Sequence, residues 1–179
     1  MNKQSLKSES KTASTNMMRT IKIEKVVLSA GGVEDNLKKA KKLIELISGT
    51  KSQIVESQKR IPAFNVRPGL EVGVCTTVRG KQAIELLKRL LGAVDNKLKR
   101  KSVASNHFSF GIKEYIEIPG MEYQRDIGVR GLNVTITFAR AGLRVQRKKI
   151  KVGRVPKRQH VSADEIMKFM EGQFKTAFI

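Results

Sequence analysis

The sequence predicts an α+β domain in which one mostly antiparallel sheet carries helices on one face. Four segments place β-branched or aromatic apolar residues at nearly alternate positions, as half-buried strands do: 20–28, 70–78, 108–118 and 132–138. Three other segments repeat apolar residues at helical spacing. Strands and helices alternate unevenly along the chain, which favours an antiparallel sheet over a regular parallel one.

The first part of the chain divides into a tail, a strand and a helix. Residues 1–17 are polar and almost free of apolar side chains, so we expect a flexible tail that cannot offset the entropy of ordering. Residues 18–179 are expected to form a single domain, which suits the length. The first strand ends at two glycines, and a helix follows over 36–48, with lysines mainly on its outer face and Gly49 as its stop.

Two strands, a short one at 52–56 and a longer one at 70–78, enclose a loop of residues 58–69, hereafter the 58–69 loop. Alternation predicts that Val72, Val74, Thr76 and Val78 share one face of the second strand. Cys75 lies among apolar neighbours and is expected to be a small core residue.

The remaining elements follow from periodicity and capping. The strongest helix prediction covers 80–98, where apolar residues form a continuous stripe. Strands are predicted over 108–118 and 132–138. The last helix begins at Ser162, because Glu165 three residues later completes a capping box.

The charge of the chain indicates a polyanionic partner. Its 179 residues include 36 Lys and Arg against 16 Asp and Glu, a formal charge of +20. Since 40% of residues are hydrophobic, the chain can still bury a core. A single cysteine excludes an internal disulfide and suits a reducing, cytoplasmic setting. No apolar run reaches membrane-spanning length, so no membrane partner is expected.

The most basic segment is RVQRKKIKVGRVPKR, residues 144–158, which contains no acidic residue. Gly153 and Pro156 prevent a continuous helix there. We therefore predict that the basic arm, residues 141–160, is extended and orders on nucleic acid, although a solubilising run is the alternative. The predicted phosphate contacts are Arg144, Arg147, Lys148, Lys149, Lys151, Arg154, Lys157 and Arg158.

The 58–69 loop combines cations with one aromatic residue. Lys59, Arg60 and Arg67 can hold a sugar-phosphate backbone, while Phe64 can pack on an unstacked base or a ribose. The alternative, weighed equally, is that Phe64 and Ile61 only anchor the loop on the core.

Nothing in the sequence indicates catalysis. His107 and His160 lack Cys or acidic partners at metal-ligand spacing, and Cys75 has no cationic neighbours that would activate it. No metal, cofactor or small-molecule substrate is expected, and binding is favoured over an enzymatic function.

Five segments resemble the large-subunit ribosomal protein L5 family in its archaeal and eukaryotic form, in order and in spacing. They are KIEKVVLSAGGVEDNLKKAKKLIELISGTK, QKRIPAFNVRPGLEVGVCTTVRG, NHFSFGIKEYIEIPGMEY, DIGVRGLNVTITFAR and KKIKVGRVPKRQHVSADE. The resemblance implies a curved sheet with one face on 5S rRNA, and a basic arm and terminal helix that bacterial members lack. It implies 5S rRNA contacts at Ser29, Thr50, Thr77 and Arg79. It also implies a loop facing the P-site tRNA, with Lys59, Arg60, Phe64, Asn65 and Arg67.

The sequence is thus interpreted as a structural constituent of the large ribosomal subunit. The partners implied are 5S rRNA, the large-subunit rRNA, P-site tRNA, and neighbouring ribosomal proteins of the central protuberance and the small-subunit head. The alternative is a protein that compacts nucleic acid without sequence preference, which would need the charge but no polar sheet face. A small nucleic-acid-modifying enzyme would need an acid cluster or a nucleophile that the sequence does not display.

Overall fold

The computed structural model describes residues 17–179; the predicted tail, apart from Met17, lies outside the described residues. The described part of the chain forms β1 (Lys22–Gly31), α1 (Asp35–Ser48), β2 (Gln53–Glu56), β3 (Glu71–Val78), α2 (Lys81–Gly92), β4 (Lys97–Leu98), β5 (Val103–Ala104), β6 (His107–Ile112), β7 (Leu132–Ala139), α3 (Arg144–Arg147), α4 (Ala163–Phe174) and β8 (Ala177–Phe178).

The main sheet has six strands in the order β2-β3-β1-β7-β6-β5, and every pair in it is antiparallel. The two short strands β4 and β8 form a separate parallel pair. Helices α1, α2 and α4 contribute their apolar stripes to one core against one face of the main sheet. The predicted α+β class, with a mostly antiparallel sheet covered on one face, is confirmed.

The core consists mainly of the inward-facing residues of the strands and the apolar stripes of the helices that pack on them. Val26 and Leu28 of β1 are fully buried, as are Ile44 of α1 and Leu90 of α2. Aromatic rings continue this core toward α4, because Phe138 stacks on Phe108 with centroids 5.8 Å apart and meets Phe169 edge-on at the same distance. Such ring pairs stabilise a core beyond the area they bury.

Two predicted elements are shorter than the sequence suggests. Helix α2 ends at Gly92 and cannot extend to residue 98, because Asp95 and Asn96 adopt left-handed backbone angles, φ 51° and 56°, which a helix cannot contain. Strand β6 ends at Ile112, which pairs with Leu132 at the very start of β7, so no partner strand remains beyond it. The predictions of a helix to residue 98 and a strand to residue 118 were therefore wrong at their ends.

The terminal helix begins as predicted. Ser162 Oγ accepts a hydrogen bond from the Glu165 N–H at 3.4 Å, and the Ser162 N–H donates to Glu165 Oε2 at 3.0 Å. This reciprocal pair is the capping box that the sequence predicts. Ile166 and Met170 are buried on its inner face, with Phe169 partly buried beside them.

Candidate nucleic-acid interface

The face of the main sheet turned away from the helices carries small polar side chains; we call it the open face. Because side chains alternate along a strand, every second residue points into the core and the residues between them lie on this face. The antiparallel registers align them in two central rows. One row is Thr77, Val27, Thr135 and Ser109; the other is Cys75, Ser29, Asn133 and Gly111. Neither row contains an Asp or Glu side chain, so neither would repel a phosphate.

Ser29 and Thr77, two of the predicted 5S rRNA contacts, both lie on the open face. Thr77 is exposed opposite Val27, and Ser29 lies two residues after Val27 on β1, opposite Cys75. Val74, Thr76 and Val78 are buried on the other face, with Val72 half-buried, as alternation predicted. The same alternation makes Cys75 a half-buried residue of the open face, so the prediction of a core cysteine was wrong.

A shallow depression surrounds Ser29 on this face. It is lined by Ser29, Ser109, Phe110, Gly111, Asn133 and Thr135. Gly111 keeps it open, because a β-carbon there would lie 3.3 Å from Asn133 Oδ1. Hydroxyl and amide groups around a shallow hollow suit ribose 2′-hydroxyls and base edges, which RNA presents on a wide, shallow groove.

The other two predicted 5S rRNA contacts lie off the open face. Thr50 is exposed in the connection from α1 to β2, and Arg79 is exposed just after β3. The Thr50 hydroxyl donates to Ser48 Oγ at 3.1 Å, while the Ser48 hydroxyl donates to the Thr50 carbonyl at 3.2 Å. With its hydrogen used in this way, Thr50 Oγ1 faces a ligand as an acceptor, which suits a 2′-hydroxyl or a base amino group.

The 58–69 loop is held in one shape by its own backbone. At its base the Ser57 N–H donates to Leu70 O and the Gly69 N–H donates to Ser57 O, both at 2.8 Å. Near its tip Ile61 and Val66 exchange two hydrogen bonds of 2.9 and 3.1 Å around a 3-10 turn, Pro62–Phe64. A loop shaped before binding loses less entropy when it meets a ligand.

Every residue of the 58–69 loop except Val66 is exposed. Phe64 is 74% exposed, so the alternative that it anchors the loop on the core is wrong. Val66, at 5% exposure, is the buried residue of the loop instead. Lys59, Arg60 and Arg67 are exposed, and so is Asn65. The loop therefore presents an aromatic ring and three cations together.

The basic arm is a closed loop, in contrast to the extended arm that the sequence predicts. It starts with the short helix α3, and the Gly153 N–H returns to Val145 O at 3.1 Å. At its ends Gln159 Nε2 donates to Ala141 O at 2.7 Å. Backbone and amide contacts thus satisfy groups that an extended arm would leave to water or RNA.

The cations of the arm remain at its surface. All eight predicted phosphate-binding side chains are exposed. Within residues 17–179, Arg147 is the one among them that forms an ion pair, with Glu24 of β1. Since the others carry no acidic partner in the described part of the chain, their charge is available to a polyanion.

Arg140, which no sequence pattern singled out, connects the arm to the domain. Its Nη2 donates to both carboxylate oxygens of Glu165 at 2.6 Å, and its Nη1 donates to the Arg158 carbonyl at 3.1 Å. Only 9% of the Arg140 side chain is exposed. Hydrogen bonds from Ser162, chiefly its backbone N–H, lower the pKa of Glu165 more than burial raises it, and Arg140 lowers it further.

Asn106 fastens the end of the arm from the turn before β6. Its Oδ1 accepts from the Val161 N–H at 2.7 Å, and its amide nitrogen lies 2.8 Å from His160 Nδ1. His107, exposed on β6, contacts the Ser105 carbonyl at 3.1 Å. Among residues 17–179, no three His, Cys, Asp or Glu side chains are grouped as metal ligands. No helix in that range is long and apolar enough to cross a membrane.

Comparison with known proteins matches the sequence of this chain to one family over most of its length. The family model described as "Ribosomal protein L5" matches residues 16–67, and the model of the C-terminus of the same ribosomal family matches residues 71–169. Three similar proteins are each called "Large ribosomal subunit protein uL5". That of Nanoarchaeum equitans is 40% identical over 90% of this chain and 98% of its own. Those of Sulfurisphaera tokodaii and Archaeoglobus fulgidus are 37% and 33% identical, each over 94% of this chain and at least 96% of their own.

Proposed function

We propose that this chain, which belongs to the ribosomal protein L5 family, binds 5S rRNA through the open face of its sheet. By holding 5S rRNA against the large-subunit rRNA, it would help to build the central protuberance. The residues proposed to contact 5S rRNA are Ser29, Thr50, Thr77 and Arg79.

Family membership sets the frame for this proposal. It confirms the resemblance found in the sequence and makes the chain a structural, non-enzymatic protein of the large ribosomal subunit. RNA binding and a part in translation follow from that membership. Its place is on the ribosome, which we propose to be cytoplasmic.

The observation that carries the proposal is the polar, acid-free pair of rows on the open face. A protein that only compacts nucleic acid needs phosphate contacts, and surface Lys and Arg supply these without any such face. Here hydroxyl and amide groups occupy the centre of the open face, in a depression that is lined by strand residues alone. Such a surface can distinguish RNA by its 2′-hydroxyls.

Two further surfaces are proposed to bind other partners. The 58–69 loop would contact P-site tRNA, because its tip exposes Phe64 beside Arg60 and Asn65. The basic arm would bind phosphates of the large-subunit rRNA, since its cations are exposed and mostly unpaired within the described residues. Neighbouring ribosomal proteins of the central protuberance and of the small-subunit head would complete its contacts.

The proposal is tested by comparing two polyanions of equal length. The protein is titrated with 5S rRNA and with duplex DNA at moderate salt, and both titrations are repeated at several salt concentrations. We expect at least about a 1000-fold preference for 5S rRNA, in the range that separates specific from non-specific binding. Equal affinities with equal salt dependence would favour the compaction alternative.

A further inference from the structure

The connection between α1 and β2, residues 49–52, is fixed at several points although it is short and exposed. Glu45 Oε1 accepts two hydrogen bonds from Ser52, one from its hydroxyl at 2.8 Å and one from its N–H at 3.2 Å. The Gly49 N–H closes the helix on Glu45 O at 2.9 Å, with Gly49 in the left-handed conformation. From β3, the buried Thr76 hydroxyl reaches the Lys51 carbonyl at 3.4 Å.

A carboxylate at this position needs an explanation. Thr50 and Lys51 are exposed in the same connection, where RNA is proposed to bind. A negative charge beside them repels phosphates, so electrostatics alone would favour an uncharged or basic residue at position 45. The surroundings nevertheless favour the ionised form of Glu45: hydrogen bonds from the hydroxyl and N–H of Ser52 lower the pKa of Glu45, and Lys41 and Lys51 lower it further.

We infer that Glu45 is a positioning residue for RNA binding, which acts by holding Ser52 so that Thr50 and Lys51 are presented in one fixed arrangement. The inference rests on the proposed function, because it assumes that this edge of the protein meets RNA. Glu45 itself does not contact the RNA. Because Glu45 orders the connection before RNA binds, binding loses less conformational entropy. This gain in binding free energy exceeds the repulsion between the Glu45 carboxylate and the RNA phosphates.

Substitutions at Glu45 separate its shape from its charge. Glu45→Ala removes both the acceptor and the charge, whereas Glu45→Gln removes the charge and keeps an acceptor for Ser52. Glu85→Ala is the matched control. Glu85 of α2 and Thr50 line a second depression, separate from the one around Ser29, and in the described part of the chain the Glu85 side chain forms no hydrogen bond or ion pair. All are made in the full chain and titrated with 5S rRNA.

We expect Glu45→Ala to weaken 5S rRNA binding by about tenfold, since one well-fixed connection becomes loose. Glu45→Gln and Glu85→Ala should bind at least as tightly as the parent, because each loses a repelling charge. The log-log salt slope of Glu45→Ala should equal the parent's, because no phosphate contact is removed. Amide exchange at Ser52 should become faster in Glu45→Ala and return toward the parent rate in Glu45→Gln.

Tighter binding by all three variants would overturn the inference, because Glu45 would then act only as a charge. Unchanged amide exchange at Ser52 in Glu45→Ala would overturn it as well, with no reference to RNA. Should Glu45→Ala fold poorly, Ser52→Ala removes the 2.8 Å bond from the other side and should weaken binding in the same direction. Failure of the parent protein to prefer 5S rRNA over duplex DNA would instead reject the proposed function, and the positioning role in RNA binding with it.

Discussion

Replacing Glu165 with Ala removes two contacts at once: half of the capping box of α4 and the carboxylate that pairs with Arg140. The Arg140 side chain, which is only 9% exposed in the parent, would then have no acidic partner among residues 17–179. Its Nε already lacks a hydrogen-bond partner in that range. The free energy of unfolding should therefore fall by more than the loss of a helix cap alone.

The size of the loss follows from burial. Removing one partner of a fully buried ion pair costs about 3–5 kcal/mol. Glu165 is 44% exposed, so water can partly replace it, and we expect a total of about 2–3 kcal/mol, of which about 1 belongs to the cap. Urea unfolding of Glu165→Ala measures the total. Ser162→Ala is the control, because it removes the capping hydroxyl and leaves the Arg140 contacts in place.

The pH dependence of stability gives a second measure. The pKa of Glu165 is lowered on folding, so the ionised group stabilises the fold at neutral pH, and this contribution disappears as the pH falls below 4.5 through the lowered pKa. Glu165→Ala should flatten this part of the acid transition. If Glu165→Ala loses no more stability than Ser162→Ala, the Arg140 bridge contributes nothing and this prediction is wrong.

Three further predictions concern the proposed RNA surfaces. Thr77→Val keeps the strand and should weaken 5S rRNA binding by about 1–3 kcal/mol with little change in the melting temperature; a collapsed melt with unchanged binding per folded molecule would contradict it. Lys148→Ala, Lys149→Ala and Lys151→Ala together should flatten the log-log salt slope of RNA binding by about one to three, and an unchanged slope would place the arm in solvent. Deleting residues 60–65 should spare 5S rRNA binding and incorporation into large subunits but impair P-site tRNA placement; loss of 5S rRNA binding by a normally folded deletion would assign the loop to 5S rRNA.

The elements that sequence predicts well are those decided by local pattern. Helix α1 was predicted within one residue, and the cap at Ser162 was predicted with its partner. The position of Cys75 could have been predicted from the same alternation: if Val74 and Thr76 face the core, Cys75 between them lies on the other face. The prediction of a core cysteine was wrong because it relied on the apolar character of the neighbouring residues and not on the alternation of side chains along the strand.

The parts that sequence missed depend on distant contacts. The closed form of the basic arm rests on Arg140 with Glu165 and on Asn106 with Val161, pairs that are 25 and 55 residues apart. Strands β4 and β8 have two residues each and pair across most of the second half of the chain. Neither short segment has a period of its own, so only the folded chain reveals them.

The basic arm, the open face and the 58–69 loop lie at different places along the sheet, and their separation determines how their proposed contributions to RNA binding combine. The arm is fastened at Glu24 near the start of β1, while the base of the 58–69 loop lies beyond Gly31, which pairs with Gly73 at the other end. Gly31 lies seven positions after Glu24, about 23 Å along the strand at the usual rise of about 3.3 Å per residue. Sites this far apart without shared partners contribute additively. The arm can therefore supply the proposed salt-dependent affinity, and the loop its proposed separate contact, without either altering the RNA recognition proposed for the open face between them.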